Sequence, residues 1–388
     1  MITDPMGLVA ALLAIEGGIL FFADDRRTRF LFTYLPGMFW IYFLPMLATT
    51  FGLLPEKSPV YDSIRGYCLP GCLALLLISV DFRAILRLGP VALTVMLAGS
   101  LGIMVGGPVA LAIFKPLLPE GVWSGFGALS ASWIGGSANM LAVKEMIGTP
   151  NAIFSPMVVV DTLVPYAWMG LLIALSSRQA AFDTWNRSRD GLVADLQRQA
   201  MRSRVASMPM DLKHVTLMFA LAAGVTFAAL LAGRRLAEFS GVINTYAWTI
   251  ILASAAGIAL SFTPARRLEK YGASKVGYAM LYLVLASIGA GTSFSHLASA
   301  PILIVAGVVW VLIHGLFVLA AGRLLRAPMS LLAAASQANV GGVASAPVVA
   351  GIYQPGMASV GLLLAILGNI IGTYLGWVCA MMCKWVGG

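Results

Sequence analysis

Of the 388 residues, 60% are apolar and only 11% charged, and the mean hydropathy is +0.89. So few polar groups cannot cover a soluble globule of this size, which excludes a water-soluble enzyme or binding domain and implies a multi-pass membrane protein in contact with the lipid bilayer. The excess of 25 Lys+Arg over 16 Asp+Glu sits mostly between hydrophobic runs. There it fits the basic bias of cytoplasmic loops and not a nucleic-acid surface.

Taking about 20 apolar residues per crossing, the first span is Met6 to Ala23, which carries Glu16 and has no Ala-x-Ala-like cleavage site, so it is expected to be retained. A second run, Phe30 to Leu54, contains Pro36 and Pro45 and is expected to kink. A polar loop around Glu56 to Arg65 leads to a third span, Tyr67 to Val80, ending at Asp81 and Arg83, which should pair or face water. The fourth runs from Pro90 to Phe114, where Gly102, Gly106 and Gly107 read as close-packing positions. A broken apolar segment follows, then Ile153 to Leu175 with Asp161 well inside it. Residues 178–213 are the one long hydrophilic stretch, expected as a surface linker that is partly amphipathic helix.

The rest repeats the plan: Val215 to Gly233, Tyr246 to Phe262, Val276 to Phe294, Pro301 to Gly322, a second broken segment, and Met357 to Met382. When Gly135-Gly136 is set on Gly341-Gly342, Ser130 falls on Ser336, Asn139 on Ser345 and Val143 on Val349. In the last span of each half Asp161 matches Asn369, and Tyr166 matches Tyr374. The chain therefore reads as a tandem repeat of one six-element unit. Paired Gly-interrupted segments at matching places in two halves point to the substrate site of a secondary transporter, because broken backbone is tolerated at membrane depth only inside protein or along a wet cavity.

Expected substrate-binding groups are Ser137 and Asn139 on the first break and Ser336, Gln337, Asn339 and Ser345 on the second. Asp161, with Ser130, Asn139 and Asn369, is the expected cation-coupling set: an ionised carboxylate within a span is costly and usually retained for function, and Na⁺ could bind at Asp161. The half-helix N-termini would favour a substrate anion. Ser and Asn could equally serve as helix caps.

Glu16 reads as pairing at a helix interface or snorkelling more than as lining the pathway, His314 as a hydrogen-bonded structural group more than a proton relay, and His214 and His296 as span-end residues. The tryptophans and tyrosines read mostly as interfacial anchors. Cys68/Cys72 and Cys379/Cys383 have neither zinc nor disulfide spacing. There is no Walker motif, redox Cys pair, His-Glu-x-x-His or hydrolase elbow, so no catalytic residue and no cofactor are expected beyond Na⁺ or H⁺ as coupling ion. Basic residues fit either hairpin breaks with inverted halves or full crossings with parallel halves. Hairpins are preferred because inversion turns one unit into two faces that open alternately.

The twin vertices, GGSAN and GGVAS, on a doubled six-element unit resemble the YjcL-like bacterial membrane proteins, the domain-of-unknown-function family 819. More distantly they are similar to the clan of bile-acid/sodium symporters, glutamate/sodium and 2-hydroxycarboxylate transporters and cation/proton antiporters. The resemblance implies an all-α elevator-type transporter of the bacterial inner membrane with two inverted repeats. Residues 1–177 would form the first repeat (1–66 scaffold, 67–177 transport part), 178–213 a cytoplasmic linker, and 214–388 the second (214–275 scaffold, 276–388 transport part). It also implies a homodimer through scaffold helices. Ala138 and Ala344 stand where the citrate and glutamate relatives have glycine, so the substrate chemistry of those relatives does not carry over. The resulting expectation is a Na⁺- or H⁺-driven carrier of a small polar organic solute. A monovalent cation/proton antiporter is the alternative, and an intramembrane enzyme or lipid-handling protein the second.

Overall fold

A computed structural model of the chain describes all residues except 26, 29, 30, 33–36, 190, 202–207, 241–243, 293–299 and 355, and the side chains of Met201 and Ser240. Pro36, Asp190 and His296 thus lie outside the described residues. The regular structure described is helical, as a chain with no water around its backbone requires. Seven of the described helices are long and apolar enough to cross a membrane.

In chain order the described α-helices are α1 (Pro5–Asp24), α2 (Gly37–Thr50), α3 (Pro59–Ile78), α4 (Phe82–Arg87), α5 (Gly89–Phe114), α6 (Trp123–Gly135), α7 (Ser137–Ile147), α8 (Asn151–Leu175), α9 (Gln179–Asn186) and α10 (Leu192–Met201). The remainder are α11 (Leu212–Ser240), α12 (Thr245–Ser261), α13 (Ala273–Ala290), α14 (Ala300–Leu325), α15 (Met329–Val340), α16 (Gly342–Tyr353) and α17 (Ala358–Gly387). The expected polar loop from Glu56 to Arg65 is helical from Pro59 onward, where it forms the first turns of α3. Ser58 caps that helix by accepting from the Val60 amide at 3.2 Å, and Pro59 supplies the first helical position. Asp81 caps α4 in the same way, through the Ala84 amide at 3.0 Å.

The helices sort into two compact units, each drawing segments from both sequence halves. Unit 1 holds Met1–Val80, Gly148–Thr162 and Ala206–Ala300, and unit 2 holds Asp81–Ile147, Leu163–Val205 and Pro301–Gly388. The third span of each half, α3 and α13, falls in unit 1 with the first two. In unit 1, Gly257 lets α12 lie on the backbone of Ala74, where an added Cβ would stand 2.9 Å from both Cα and O. The Asn151 side chain ties α8 to the Gly291 carbonyl at 2.7 Å.

Unit 2 is built around α5, α14 and α17 together with two helical hairpins. A Cβ on Gly127, early in α6, would meet Ile147, the last residue of α7, at 3.2 Å, so these arms fold back on one another. Likewise Ala333 of α15 shares one buried cluster with Val349 and Tyr353 of α16. Gly102, Gly106 and Gly107 are the close-packing positions expected: Cβ atoms there would lie 2.8 Å from Phe317 and 2.5 and 2.7 Å from the Trp310 ring. Trp133 and Trp310 are not interfacial anchors but fully buried core, with ring centroids 4.8 Å apart and Phe126 stacked on Trp310 at 5.3 Å.

The hydrophilic stretch after α8 is stitched to the foot of the second hairpin. Asp183 Oδ1 accepts from the Met329 amide at 2.8 Å, capping the start of α15. The buried Asn186 side chain donates to the carbonyls of Gly322 at 3.2 Å and Ala327 at 2.8 Å. α10 is amphipathic, burying Leu196 and Ala200.

Candidate functional site

The vertices of the two hairpins come together inside unit 2. Gly136 turns the first at φ +86°, ψ 174°, and Gly342 turns the second at φ +64°; both conformations are open to glycine and costly for other residues. A Cβ on Gly342 would stand 4.0 Å from Gly136 Cα, and one on Gly136 would stand 3.4 Å from Asn369 Oδ1 on α17. The tips thus meet beside Asn369. Both second arms, α7 and α16, begin at these vertices, so the first-turn amides of Ser137, Ala138, Val343 and Ala344 lack intrahelical acceptors. Two helix N-termini sharing one point present positive partial charge to an anionic or electronegative group.

Most of the expected ligands are committed to holding this arrangement. Gly135 sits hard against α17, where a Cβ would lie 2.9 Å from Gly372 Cα. Asn139 donates to the Gly135 carbonyl at 2.6 Å and accepts from the Thr373 hydroxyl. Ser130 donates to the Gly127 carbonyl at 2.7 Å. Asn339 Oδ1 accepts from Ser100 at 2.8 Å, while its Nδ2 donates to the carbonyls of Met96 at 3.1 Å and Ala335 at 3.2 Å. Gln337 Nε2 donates to Ser345 Oγ at 2.7 Å, a bridge lying against Gly341 where a side chain would otherwise stand. Gln337 is 1% exposed and its Oε1 has no partner among the described residues. This buried oxygen, with half-buried Ser137 and Asn369, is what the tips leave available for a ligand.

Ser336 belongs to a polar chain that fixes its own proton positions. The Gly99 carbonyl, 2.9 Å from His314 Nδ1, only accepts, so Nδ1 carries the hydrogen. Trp168 Nε1 donates to Ser336 Oγ at 2.8 Å, and Ser336 in turn donates to His314 Nε2 at 2.9 Å. The imidazole is fully satisfied as a neutral group within this chain. His314→Leu is expected to lower stability by about 2–4 kcal/mol, since it strands a buried carbonyl and a buried hydroxyl, read as a fall in the unfolding midpoint of the purified protein.

Asp161 is half-buried on the part of α8 that belongs to unit 1. Among the described residues no three His, Cys, Asp or Glu side chains converge. At the hairpin tips a hard cation would be offered amide and hydroxyl oxygens by Gln337, Asn369 and Ser137. Ser100, Trp168 and Thr373 carry the site's support and escape a reading of the sequence, because single polar residues in apolar spans do not announce their partners.

Across residues 10–386 the sequence matches the family described as protein of unknown function DUF819. It is also 26% identical over 349 residues to the uncharacterized membrane protein YjcL of Bacillus subtilis (strain 168), a match covering 85% of this chain and 86% of that protein. The relative is a membrane protein by its description, in keeping with the helices here. This multi-pass helical membrane protein therefore belongs to the DUF819 family.

Proposed function

We propose that the protein is a secondary active transporter of a small polar organic solute, driven by Na⁺ or H⁺. The observation that carries this reading is the meeting of two glycine-vertexed helical hairpins beside Asn369, with two helix N-termini and the unpartnered Gln337 oxygen nearby. Such discontinuous helices at the midplane are how transporters of several folds meet an anionic group and a coupling ion. On this reading the hairpins are re-entrant, the halves are inverted repeats, and alternating access is of the elevator type. The division into two compact units, each drawn from both halves, supports that mechanism. The chain is then no enzyme and acts in the bacterial inner membrane, as a homodimer.

A thermal-shift screen of the purified protein against small organic anions and zwitterions, run in Na⁺ and again in K⁺ or choline, tests the function. A solute whose stabilisation requires Na⁺ or changes with pH supports it; the absence of any stabilising solute across such a panel counts against it. Topology is tested separately. With the four native cysteines replaced, an impermeant thiol reagent applied to intact cells should miss a cysteine placed in the 178–213 stretch and label one on a C-terminal tag. Protection of the tag would favour full crossings and parallel halves.

A further inference from the structure

Unit 1 contains a cavity of about 580 Å³ whose wall is almost wholly apolar, lined by residues of α1, α3, α11 and α13. One group breaks that pattern. Glu16, which opens onto this cavity from α1, is 5% exposed, and its Oε2 has no hydrogen-bond partner among the described residues. The Thr226 hydroxyl on the same wall donates to the Tyr67 carbonyl at 3.4 Å. Tyr67, Phe219 and Phe227 contribute aromatic rings to the same wall and are 64%, 51% and 69% exposed, so one side of the cavity is open to the surroundings of the helices.

We propose that this cavity binds a lipophilic ammonium compound, a single alkyl chain or apolar body carrying a primary or quaternary ammonium, with Glu16 as its counter-ion. A buried carboxyl oxygen without a partner is costly, and a neutral alkyl chain filling the cavity would leave it so. An anionic amphiphile would add like-charge repulsion. An ammonium group meets the carboxylate directly, is attracted to the faces of aromatic rings, and carries an apolar body that suits the rest of the wall. The site lies in unit 1, whereas the solute site proposed above is formed at the hairpin tips of unit 2, so the two stand or fall separately.

The probes are dodecyltrimethylammonium and dodecanol, each titrated below micelle formation into the purified full chain in dodecyl maltoside, with binding followed by thermal shift and calorimetry. Wild type is expected to bind the ammonium about tenfold tighter than the alcohol, the scale of one charge-assisted contact. Glu16→Gln should lose that preference while keeping its affinity for the alcohol. Ala223→Trp, a substitution at an exposed position on the cavity wall that leaves Glu16 in place, should weaken both probes. Equal affinity of wild type for the two probes, or no binding of the ammonium, overturns the proposal. So does a Glu16→Gln protein that retains the preference. If Glu16→Gln does not fold, undiminished ammonium binding by Ala223→Trp overturns it, and weakened binding upholds it.

Discussion

Gly136→Leu is expected to yield a protein that inserts and accumulates normally yet takes up no solute above background. At φ +86°, ψ 174°, this position lies in a region of backbone space that is essentially reserved for glycine, so any side chain strains the turn by about 1–3 kcal/mol. The side chain would also enter the one place where the hairpin tips and Asn369 converge, since its Cβ alone would be 3.4 Å from Asn369 Oδ1. Strain and occlusion can be told apart with Gly148→Leu. Gly148 has φ +67° but nothing within 4 Å of an added Cβ, so it bears a backbone cost of the same kind without touching the tips. Gly148→Leu should lose stability but keep uptake. Uptake by Gly136→Leu at the wild-type rate would remove the tips from the transport pathway.

What the sequence discloses and what it hides divide along physical lines. The vertices were legible because a Gly-Gly pair interrupting an apolar run has few uses in a membrane, and two such interruptions at matching places have fewer. Helix existence was legible for the long apolar runs, where length and hydropathy act together. The start of α3 was misread because Asp62 and Arg65 made the stretch look like a loop; the Ser58-Pro59 pair, a cap followed by proline at the first helical position, was the signal that mattered. The roles of Asn339, Ser336 and Asn139 were not legible at all. Each has the oxygen chemistry of a ligand, but their hydrogen bonds to Ser100, His314 and Thr373 join residues up to 239 apart in sequence, and only the folded chain shows that their capacity is taken up internally. Buried polar groups in a tightly packed unit find partners, so residue type alone does not separate groups that support the site from groups that hold a ligand. Trp133 and Trp310 mislead in the same way: their size suits a membrane interface, but Gly106 and Gly107 make room for the Trp310 ring in the core.

Asp161→Asn is expected to abolish stabilisation by Na⁺ and concentrative uptake together, with folding intact. Asn369, which the proposed repeat sets opposite Asp161, stands beside the hairpin tips and cannot carry charge, so on that reading the coupling cation should depend on the half that holds a carboxylate. Binding Na⁺ requires that carboxylate to be ionised, and protonation competes with the cation. The sign follows: Na⁺-dependent stabilisation should weaken as pH falls, because the neutral acid no longer attracts the ion. At Na⁺ about a hundredfold above its Kd, wild type should gain about 2.7 kcal/mol, and Asp161→Asn essentially none. Asn369→Asp should instead change the ion dependence without abolishing binding, since it places a new carboxylate beside two helix N-termini. The measurement is a Na⁺ titration by thermal shift at two pH values on all three proteins. An Asp161→Asn protein that gains stability from Na⁺ as wild type does would place the cation among the neutral oxygens of unit 2, and Gln337→Leu, which removes the unpartnered Oε1, would then be the variant that loses the response.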